Sequence, residues 1–501
     1  MTEVDVAVVG AGFAGIGLGI RLARRQRETK QSGEHADRGA RPGRSESFVL
    51  LERAHGVGGT WRDNRYPGVA CDVPSHLYSF SFRPKPDWSR VFAPGAEIAS
   101  YLRDCARDEG LDPHLRLGTE MQHARWDGRR WRIATSAGTV HALVLVVAAG
   151  RLSEPRIPDI PGLSGFDGPV FHSARWDGSA DLRGRRVGVV GTGASAAQIV
   201  PALAGTAAEL VVFQRTPPWV VPRGDRPYTE QERRGFALDP GAGRALREEL
   251  FDDAERAIDA RRRVRPDIDH LRQRALDHLA AQVPDPVLRA RLRPDYEIGC
   301  KRIVVSDDLY PALGRDDVTL EPSALVRVEK STAVAASGAH HPLDALVLAT
   351  GFWTTRLPFA QRIEGRHGLL ADRWAGGMTA HASTAVHGFP NMFVLNGPNA
   401  SLGHNSAVYM IETQIDHVLG ALDHLADRPG TPLEVTAEAE ATYTREIDAM
   451  AAGTVWLQGG CRSWYVDEAS GRLTLLWPGT ARSFRARNGT FDPRPYGLTG
   501  A

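Results

Sequence analysis

The feature that most constrains this chain is a short apolar run that ends in a glycine-rich turn and leads into an amphipathic segment. It occurs twice. Residues 5–9 precede the turn at 10–15, Gly-Ala-Gly-Phe-Ala-Gly, and residues 186–190 precede the turn at 191–196, Gly-Thr-Gly-Ala-Ser-Ala. A strand, a tight turn and a helix form the first half of a βαβ unit. We therefore expect an α/β protein built from two such units.

The first turn fits G-x-G-x-x-G, a motif in which each glycine meets a steric requirement. The first permits the tight turn, the second lets a pyrophosphate approach the backbone, and the third lets the helix pack against the strand. The N–H groups at the start of the helix then face the phosphates. The pattern predicts a dinucleotide site, with these residues in it: Gly10, Gly12, Phe13, Ala14 and Gly15.

The two units differ in the residue that follows their next strand. In the first unit the strand at 48–51 is followed by Glu52, whose carboxylate suits the hydroxyls of an unphosphorylated ribose, as in FAD. In the second unit the strand at 210–213 leads to Arg215, which stands 19 residues after Ala196. A guanidinium binds a 2′-phosphate that a carboxylate would repel, so the second nucleotide is predicted to be NADPH.

The segment from Arg24 to Glu46 interrupts the first unit. Glu52 stands 37 residues after Gly15, where about 20 residues are usual. The segment is rich in charged residues, Gly, Pro and Ser and contains no large apolar side chain. We expect it to be a solvated, inserted loop, because it cannot bury enough apolar surface to become ordered.

Composition narrows the class of protein. The 501 residues contain 61 Lys and Arg against 60 Asp and Glu, a formal net charge of +1, so we expect no nucleic-acid partner. The longest uncharged stretch, 6–20, is Gly-rich, is preceded by Glu3 and Asp5, and is shorter than the roughly 20 residues that span a bilayer. It predicts neither a signal peptide nor a membrane contact, and we expect a cytoplasmic protein.

The four cysteines, at positions 71, 105, 300 and 461, form no C-x-x-C and no close pair. This spacing argues against a disulfide framework, a bound metal and a dithiol redox pair, so we expect four small buried hydrophobic residues in a reducing compartment. FAD and NADPH sites in one chain imply hydride transfer from nicotinamide to flavin. Without a cysteine pair a disulfide reductase is disfavoured, and a monooxygenase stays as the candidate.

The residues between 229 and 299 change in character. Glu, Arg, Ala, Leu and Asp dominate there, with almost no β-branched run, which predicts a helical insertion. The expected fold class is α/β, with two Rossmann-like dinucleotide-binding domains and this insertion in the NADPH domain. We expect residues 1–150 and 380–501 to form the FAD-binding domain, and residues 151–228 and 300–379 the NADPH-binding domain.

A further motif lies between the two turns. Residues 166–177 read Phe-Asp-Gly-Pro-Val-Phe-His-Ser-Ala-Arg-Trp-Asp and match F-x-G-x-x-x-H-x-x-x-W-(P/D). On this motif the sequence resembles the type I Baeyer-Villiger monooxygenases, a family of FAD- and NADPH-dependent enzymes. The related N- and S-oxygenating flavin monooxygenases usually place another aromatic residue at the position of Trp176. In the family, the histidine at the His172 position serves the domain junction more than the chemistry.

The resemblance implies a catalytic pair. Residues 65–72 are similar to the family's flavin-side segment, in which the aspartate at the Asp72 position lies beside the flavin, and residues 299–302 are similar to the segment that carries the active-site arginine, here Arg302. As a hypothesis, Arg302 keeps a C4a-peroxyflavin deprotonated and stabilises the oxyanion formed on the substrate carbonyl. Asp72 would orient the guanidinium.

The cofactor sites extend beyond the two turns. Trp464 lies in a segment similar to the family's mobile loop and would close over the bound nicotinamide nucleotide. Lys301 would join Arg215 and Thr216 at the 2′-phosphate. The other residues assigned to FAD are Gly59, Thr60, Trp61, Asp72, Tyr78 and Met121. The other residues assigned to NADPH are Gly191, Thr192, Gly193, Ala194, Ser195 and Gln198.

The resemblance implies that one atom of O2 is inserted next to a ketone carbonyl to give an ester or lactone, so a small-molecule ketone and O2 are the expected partners. Residues 389–391, 397–399 and 403–406 look more like the branch that includes 4-hydroxyacetophenone monooxygenase. The identity of the ketone and the oligomeric state stay open. Two alternatives also stay open: an N- or S-oxygenating flavin monooxygenase, and a nucleotide-binding regulatory protein without turnover.

Overall fold

Two sheets with parallel strands at their centres organise the structure, a computed structural model that describes residues 2–34 and 46–498. The strands in this part are β1 Thr2–Val9, β2 Phe48–Leu51, β3 Leu115–Arg116, β4 Met121–Trp126, β5 Trp131–Thr135, β6 Gly138–Val147, β7 Val170–His172, β8 Arg186–Val190, β9 Glu209–Phe213, β10 Val220–Val221, β11 Val304–Val305, β12 Val318–Glu321, β13 Leu325–Glu329, β14 Thr332–Ala335, β15 His340–Pro342, β16 Ala345–Leu348, β17 Ile363–Gly365, β18 Gly368–Leu369, β19 Met392–Val394, β20 Leu433–Val435 and β21 Tyr496–Leu498.

The α-helices alternate with these strands in the two nucleotide units and cluster between β10 and β11. They are α1 Phe13–Glu34, α2 Thr60–Asp63, α3 Gly95–Asp108, α4 Ala196–Leu203, α5 Glu230–Leu238, α6 Pro240–Arg256, α7 Ile258–Arg261, α8 Asp267–Gln282, α9 Pro286–Leu292, α10 Leu309–Leu313, α11 Leu370–Arg373, α12 Ala407–Ala426, α13 Ala437–Ala451, α14 Val455–Gln458 and α15 Ala481–Asn488. In the described part, none of them is long and apolar enough to cross a membrane.

The first sheet has nine strands in the order β18-β17-β4-β5-β6-β1-β2-β3, with β19 also paired to β6. Strand β1 pairs in parallel with β2 on one side and β6 on the other, so that Val8 lies opposite both Leu50 and Val146. Both faces of β1 are covered, which explains its continuous apolar run. The first glycine turn leaves β1 between these neighbours, at the switch point where open α/β sheets bind their ligands.

The second sheet has five parallel strands in the order β12-β9-β8-β16-β7. Strand β8 lies between β9 and β16, with Val189 opposite Val212 and Val347. The second glycine turn follows β8 and leads into α4, and Arg215 follows β9. The two sheets and their helices confirm the predicted α/β class with two Rossmann-like units.

The helical insertion is present as five helices, α5 to α9. The first begins with a capping box in which the side chain of Thr229 accepts from the N–H of Glu232 and the Glu232 carboxylate accepts in return from the N–H of Thr229. Such reciprocal bonds satisfy donors that a helix start leaves free. The helical insertion therefore begins with a well-capped helix at Thr229, where the sequence analysis places its start.

The chain returns to the first sheet before residue 380, where the sequence analysis places the start of the second FAD segment. Strand β17 pairs in parallel with β4, with Ile363 opposite Ala124, and β18 pairs with β17. The division of the chain into domains stays a prediction, and this pairing favours an earlier boundary for the return.

The expected loop at 24–46 is wrong for residues 24–34, because α1 continues to Glu34. Charged side chains of α1 form ion pairs with residues outside the helix. Arg21 pairs with Asp416 at 3.0 Å, and Arg27 pairs with Glu109 at 3.0 Å. The helix therefore gains support from ion pairs with partners far along the chain. Residues 35–45 of the expected loop lie outside the described residues.

Candidate active site

The first glycine turn depends on backbone contacts that a side chain would block. Gly10 has φ of 104°, and a Cβ there would lie 2.6 Å from the carbonyl oxygen of Ala148. A Cβ on Gly15 would lie 1.9 Å from the carbonyl oxygen of Gly10. The third glycine therefore allows α1, which begins at Phe13, to pack directly on the turn, as the pattern predicts.

A second backbone segment closes over this turn. Gly59, with φ of 51°, would carry a Cβ only 3.1 Å from the Cα of Gly12. The N–H of Gly58 donates to the carbonyl oxygen of Ala11 at 2.8 Å. Gly59, which is assigned to FAD, and its neighbour Gly58 thus lie against the first turn, which also contains Ala14.

Glu52 also lies beside the first glycine turn. It is 5% exposed, and its Oε2 accepts a 2.9 Å hydrogen bond from the N–H of Ala11, while Oε1 accepts one from the N–H of Ala54 at 2.9 Å. Arg62 approaches Oε1 at 3.1 Å. The carboxylate therefore lies at the carboxyl end of β2 beside the turn, and its binding of a ribose hydroxyl stays a prediction.

Aromatic side chains extend this region. Trp61 Nε1 donates to the hydroxyl of Tyr78 at 3.3 Å, and the ring of Phe13 meets that of Tyr78 edge-on at 5.1 Å. Burial raises the pKa of Tyr78. Thr60 donates through Oγ1 to the carbonyl oxygen of Leu152 at 3.4 Å. Three of the residues assigned to FAD therefore form one aromatic cluster.

Met121 lies apart from that cluster. It begins β4, is 5% exposed, and packs in the apolar core that contains Trp126 and Ile363. Its carbonyl oxygen accepts a 3.0 Å hydrogen bond from Arg362. Its assignment to FAD stays a prediction, without a contact in the structure that supports it.

The second turn has open space above its centre. Gly191 has φ of 113°, and a Cβ there would lie 2.6 Å from the carbonyl oxygen of Ala349. At Gly193, in contrast, a Cβ would meet nothing within 4 Å. Thr192 donates through Oγ1 to the carbonyl oxygen of Thr216 at 3.0 Å. The turn that precedes α4, through Ala194 and Ser195, therefore leaves room for a phosphate.

Arg215 and Lys301 come together although they are far apart in sequence. Arg215 is exposed. Lys301 places Nζ 4.8 Å from the centre of the Tyr296 ring, and burial together with the charge of Arg215 lowers the pKa of Lys301. Two neighbouring cations beyond the end of β9 suit the 2′-phosphate that the sequence analysis assigns to them.

Gln198 has a different position from the turn residues. Its Oε1 accepts from the hydroxyl of Tyr66 at 3.0 Å, and its Nε2 donates to the carbonyl oxygen of Ala70 at 3.0 Å. The side chain thus bridges α4 to the segment that leads to Asp72. Its assignment to NADPH stays a prediction, and the observed contacts join the two nucleotide units.

The predicted catalytic pair is formed. Nε and Nη2 of Arg302 each lie 2.7 Å from Oδ2 of Asp72. The two side chains remain 32% and 25% exposed. The negative charge of Asp72 raises the pKa of Arg302 above its ordinary value. A guanidinium held in this way stays protonated and keeps a fixed orientation.

The loop that carries Trp464 places a second aromatic residue beside this pair. Trp464 is 39% exposed, whereas Tyr465 is buried, and their rings lie 4.3 Å apart. Burial raises the pKa of Tyr465, although the charges of Arg302 and Arg261 lower it. Among the described residues it has no partner with standard hydrogen-bond geometry.

The expectation of four unpaired cysteines is wrong for two of them. Cys300 and Cys461 form a disulfide with a Cα–Cα distance of 6.2 Å, and Cys71 and Cys105 are free and buried. The bond joins the segment that ends at Arg302 to the loop that carries Trp464. Sequence spacing concealed it, because 161 positions separate the two cysteines.

His172 lies in the second sheet, and its role at the domain junction stays a prediction. It ends β7, is 2% exposed, and its Nδ1 accepts from the N–H of Ala174 at 3.1 Å. Its ring meets Phe352 edge-on at 5.6 Å. Burial lowers its pKa to about 4.

Sequence reasoning assigned no role to three residues near the catalytic pair. The charge of Arg302 lowers the pKa of Arg261, and a charge on Tyr465 would raise the pKa of both Arg261 and Arg151. Arg151 is 5% exposed and donates to the carbonyl oxygen of Asn396 at 2.9 Å. Tyr465 follows Trp464 in the segment similar to the mobile loop, whereas Arg261 and Arg151 belong to no motif, so only the tertiary structure brings the three together.

Comparison with known proteins agrees with this architecture. The family described as NAD(P)-binding Rossmann-like domain matches residues 8–94, and the family described as pyridine nucleotide-disulphide oxidoreductase matches residues 75–232. The fold and the two turns thus define a two-nucleotide oxidoreductase.

Full-length relatives narrow this class. A Baeyer-Villiger monooxygenase of Streptomyces coelicolor is 44% identical, with 99% of this chain and 92% of that protein covered. One of Pseudomonas aeruginosa is 41% identical, with 99% and 91% covered. The crystal structure of cyclohexanone monooxygenase from Rhodococcus sp. Phi1 bound to NADP+ matches with a TM-score of 0.84 at 27% identity and covers 100% of both chains.

The chain belongs to the Baeyer-Villiger monooxygenases. It is an enzyme, an NADPH-dependent flavin monooxygenase that uses FAD. The relatives confirm the predicted family and cofactors and do not favour an N- or S-oxygenating enzyme. The 4-hydroxyacetophenone branch stays a prediction.

Proposed function

We propose that the enzyme converts a small-molecule ketone to an ester or lactone, with Arg302 and Asp72 at the reacting carbonyl. In the net reaction, ketone, O2, NADPH and one proton give ester, NADP+ and water. The observation that carries this proposal is the ion pair at 2.7 Å between residues from the two nucleotide units. It supports the proposal because it would hold a permanent cation where the two cofactors meet.

The two turns fit their nucleotides. At the first turn, the close approach of Gly12 and Gly59 leaves only backbone where a pyrophosphate would lie, and Glu52, bonded to the N–H of Ala11, would bind a ribose hydroxyl. At the second turn, the open space at Gly193 and the cation Arg215 suit a phosphorylated nucleotide. Bound flavin, reduced by NADPH, would supply the electrons that activate O2.

Arg302 has the donors that the reaction requires. Asp72 engages Nε and Nη2, which leaves Nη1 to donate to the substrate. Because the Asp72 charge raises its pKa, the guanidinium stays protonated throughout the working pH range. A fixed donor aimed at the carbonyl oxygen stabilises the negative charge that develops there when the carbonyl is attacked.

The substitution Arg302→Ala tests this role. We expect the variant to keep its flavin and to lose ester formation by a factor on the order of 10² to 10³, the usual cost of one oxyanion donor. The measurement is ester by mass spectrometry with linear, cyclic and aryl ketones. Arg262→Ala, which removes an exposed arginine of the helical insertion, is the control. Undiminished ester formation in Arg302→Ala would rule out the proposed role.

A further inference from the structure

The disulfide between Cys300 and Cys461 is close in sequence to two residues of the proposed site. Cys300 comes two positions before Arg302, and Cys461 comes three positions before Trp464, which the sequence analysis assigns to NADPH. The bond is therefore a covalent link between the segment of the catalytic arginine and the loop of a nucleotide residue. Breaking it would change how both are held.

Few hydrogen bonds hold the chain on the loop side of the disulfide. The carbonyl oxygen of Gly459 accepts from the N–H of Glu297 at 2.8 Å, and that of Trp464 accepts from Oγ1 of Thr354 at 3.3 Å. Between them, in the part of the chain that the structure describes, the N–H groups of residues 460–464 donate to no protein acceptor. Between these two hydrogen bonds, the disulfide is the link from this span to the arginine segment.

The arginine segment is held in a similar way. The N–H of Cys300 donates to a backbone oxygen at 3.2 Å, and that of Val304 donates to another at 2.9 Å. Among the described residues, the N–H groups of residues 301–303 have no protein acceptor. The ion pair with Asp72 holds the side chain of Arg302. The disulfide thus joins two spans that have little backbone support of their own.

The two cysteines differ in exposure. Cys300 is 0% exposed, whereas Cys461 is partly exposed and lies between two exposed residues, Gly460 and Arg462. A thiolate opens a disulfide by attacking one of its sulfur atoms, so the reaction needs access to that atom. Exposed disulfides are accordingly the ones that exchange readily. The exposure of the two residues favours attack at Cys461.

We propose that the disulfide between Cys300 and Cys461 is a thiol–disulfide exchange site, and that its reduction by a dithiol loosens the active site. One thiolate of the dithiol attacks Sγ of Cys461, which gives a mixed disulfide and releases Cys300 as a thiolate. The second donor thiolate then forms the donor's own disulfide and releases Cys461. Two electrons and two protons pass from the dithiol to the two cysteines.

Reduction gives conformational freedom to both spans. A residue that must then be ordered when the nucleotide binds costs entropy, and ordering one further residue weakens binding by a factor on the order of 10. We expect the reduced enzyme to bind NADP+ roughly 10-fold more weakly. It should also convert more NADPH and O2 to NADP+ and H2O2 in place of ester, an effect that rests on the proposed function.

Two single variants test the point of attack on the native holoenzyme. Cys300→Ser leaves Cys461 as a thiol, and Cys461→Ser leaves Cys300. With dithionitrobenzoate we expect one reactive thiol in Cys300→Ser and none in Cys461→Ser, because Cys300, Cys71 and Cys105 are buried. Equal reactivity of the two variants would overturn attack at Cys461. Dithiothreitol and reduced thioredoxin, at equal thiol concentration, distinguish a small dithiol from a protein dithiol as the donor for the wild type.

The effect of reduction is measured on the wild-type holoenzyme. Oxidised enzyme is compared with enzyme that has been treated with dithiothreitol and then freed of it. Calorimetry gives the Kd for NADP+, and ester and H2O2 are quantified per NADPH consumed. Reoxidation with glutathione disulfide should restore both values. The variant Cys300→Ser/Cys461→Ser is the matched control: it retains Cys71 and Cys105, should resemble the reduced enzyme and should not respond to reductant.

The failures of the two proposals are distinguishable. An NADP+ Kd and an ester yield that are the same in oxidised and reduced wild type overturn the exchange site as a control of the active site. A response to reductant that persists in Cys300→Ser/Cys461→Ser also overturns it, because other groups then carry the effect. If neither redox form yields an ester from any ketone, the proposed function has failed, and the NADP+ Kd still tests the disulfide.

Discussion

Arg302 and Asp72 stand 230 positions apart in the chain and meet through two 2.7 Å contacts to one carboxylate oxygen. Asp72 comes from the flavin-side segment, and Arg302 precedes β11. The pair therefore forms only when the two nucleotide units are correctly assembled.

The substitution Asp72→Asn removes the charge and keeps the size of the side chain. We expect kcat for ester formation to fall by roughly 10- to 100-fold, because Arg302 loses a charge-assisted partner and its fixed orientation. Steady-state kinetics with quantified ester is the measurement. Asp316→Asn, at an exposed acid, should change nothing, and an unchanged kcat in Asp72→Asn would contradict the orienting role.

Arg215 is predicted to select NADPH over NADH. In Arg215→Gln we expect KM for NADPH to rise by roughly 10- to 100-fold, because a charged partner of the 2′-phosphate is lost. KM for NADH, which lacks that phosphate, should stay close to its wild-type value. The exposed Arg185 provides the control, Arg185→Gln. Equal effects on both coenzymes would assign Arg215 a structural role.

Gly15 is predicted to accept no side chain. In Gly15→Ala the new Cβ would lie 1.9 Å from a backbone oxygen that cannot move without opening the turn. We expect the purified variant to lose bound FAD, measured as flavin absorbance per protein. Gly243→Ala is the matched control, because a Cβ there meets nothing within 4 Å inside α6. It should be neutral or stabilise by roughly 0.5 to 1 kcal/mol.

The disulfide predicts a definite thiol count. Protein purified without reductant and then denatured should show two free thiols, from Cys71 and Cys105, and four after reduction. Four thiols before reduction would show that the bond is absent. Cys300→Ser/Cys461→Ser should lower the free energy of unfolding by up to about 5 kcal/mol, because the bond closes a loop of 161 residues.

A reductant provides a control for the stability of the Cys300→Ser/Cys461→Ser variant. When both proteins are unfolded in the presence of a dithiol reductant, the wild type loses the same cross-link, so its stability should approach that of the double variant. A difference that persists in reductant would show that the serine side chains themselves destabilise the protein.

The nucleotide units could be predicted because their signals are local. The apolar run, the glycine turn and the helix that follows are continuous in sequence in each unit, from β1 to α1 and from β8 to α4. Steric requirements at Gly10 and Gly15 act between near neighbours, so the sequence pattern carries them. Arg215 could also be predicted from local sequence, because it comes just after the apolar run that forms β9.

Other features depend on contacts between distant positions. The extension of α1 to Glu34 is supported by the ion pair between Arg27 and Glu109, which no local pattern predicts. The disulfide joins positions 161 residues apart. Arg261 belongs to an insertion whose composition predicts helix, and the effect of Arg302 on its pKa follows only from how that insertion folds back.

The bridge made by Gln198 has a consequence for engineering. Its amide accepts from Tyr66 and donates to Ala70, and so uses both ends to connect α4 with the flavin-side segment. A chimera that took one nucleotide unit from another member of the family would contain only one side of these contacts. Recombination should therefore succeed most often when residues 66–70 and the residue at position 198 are transferred together, from a single parent.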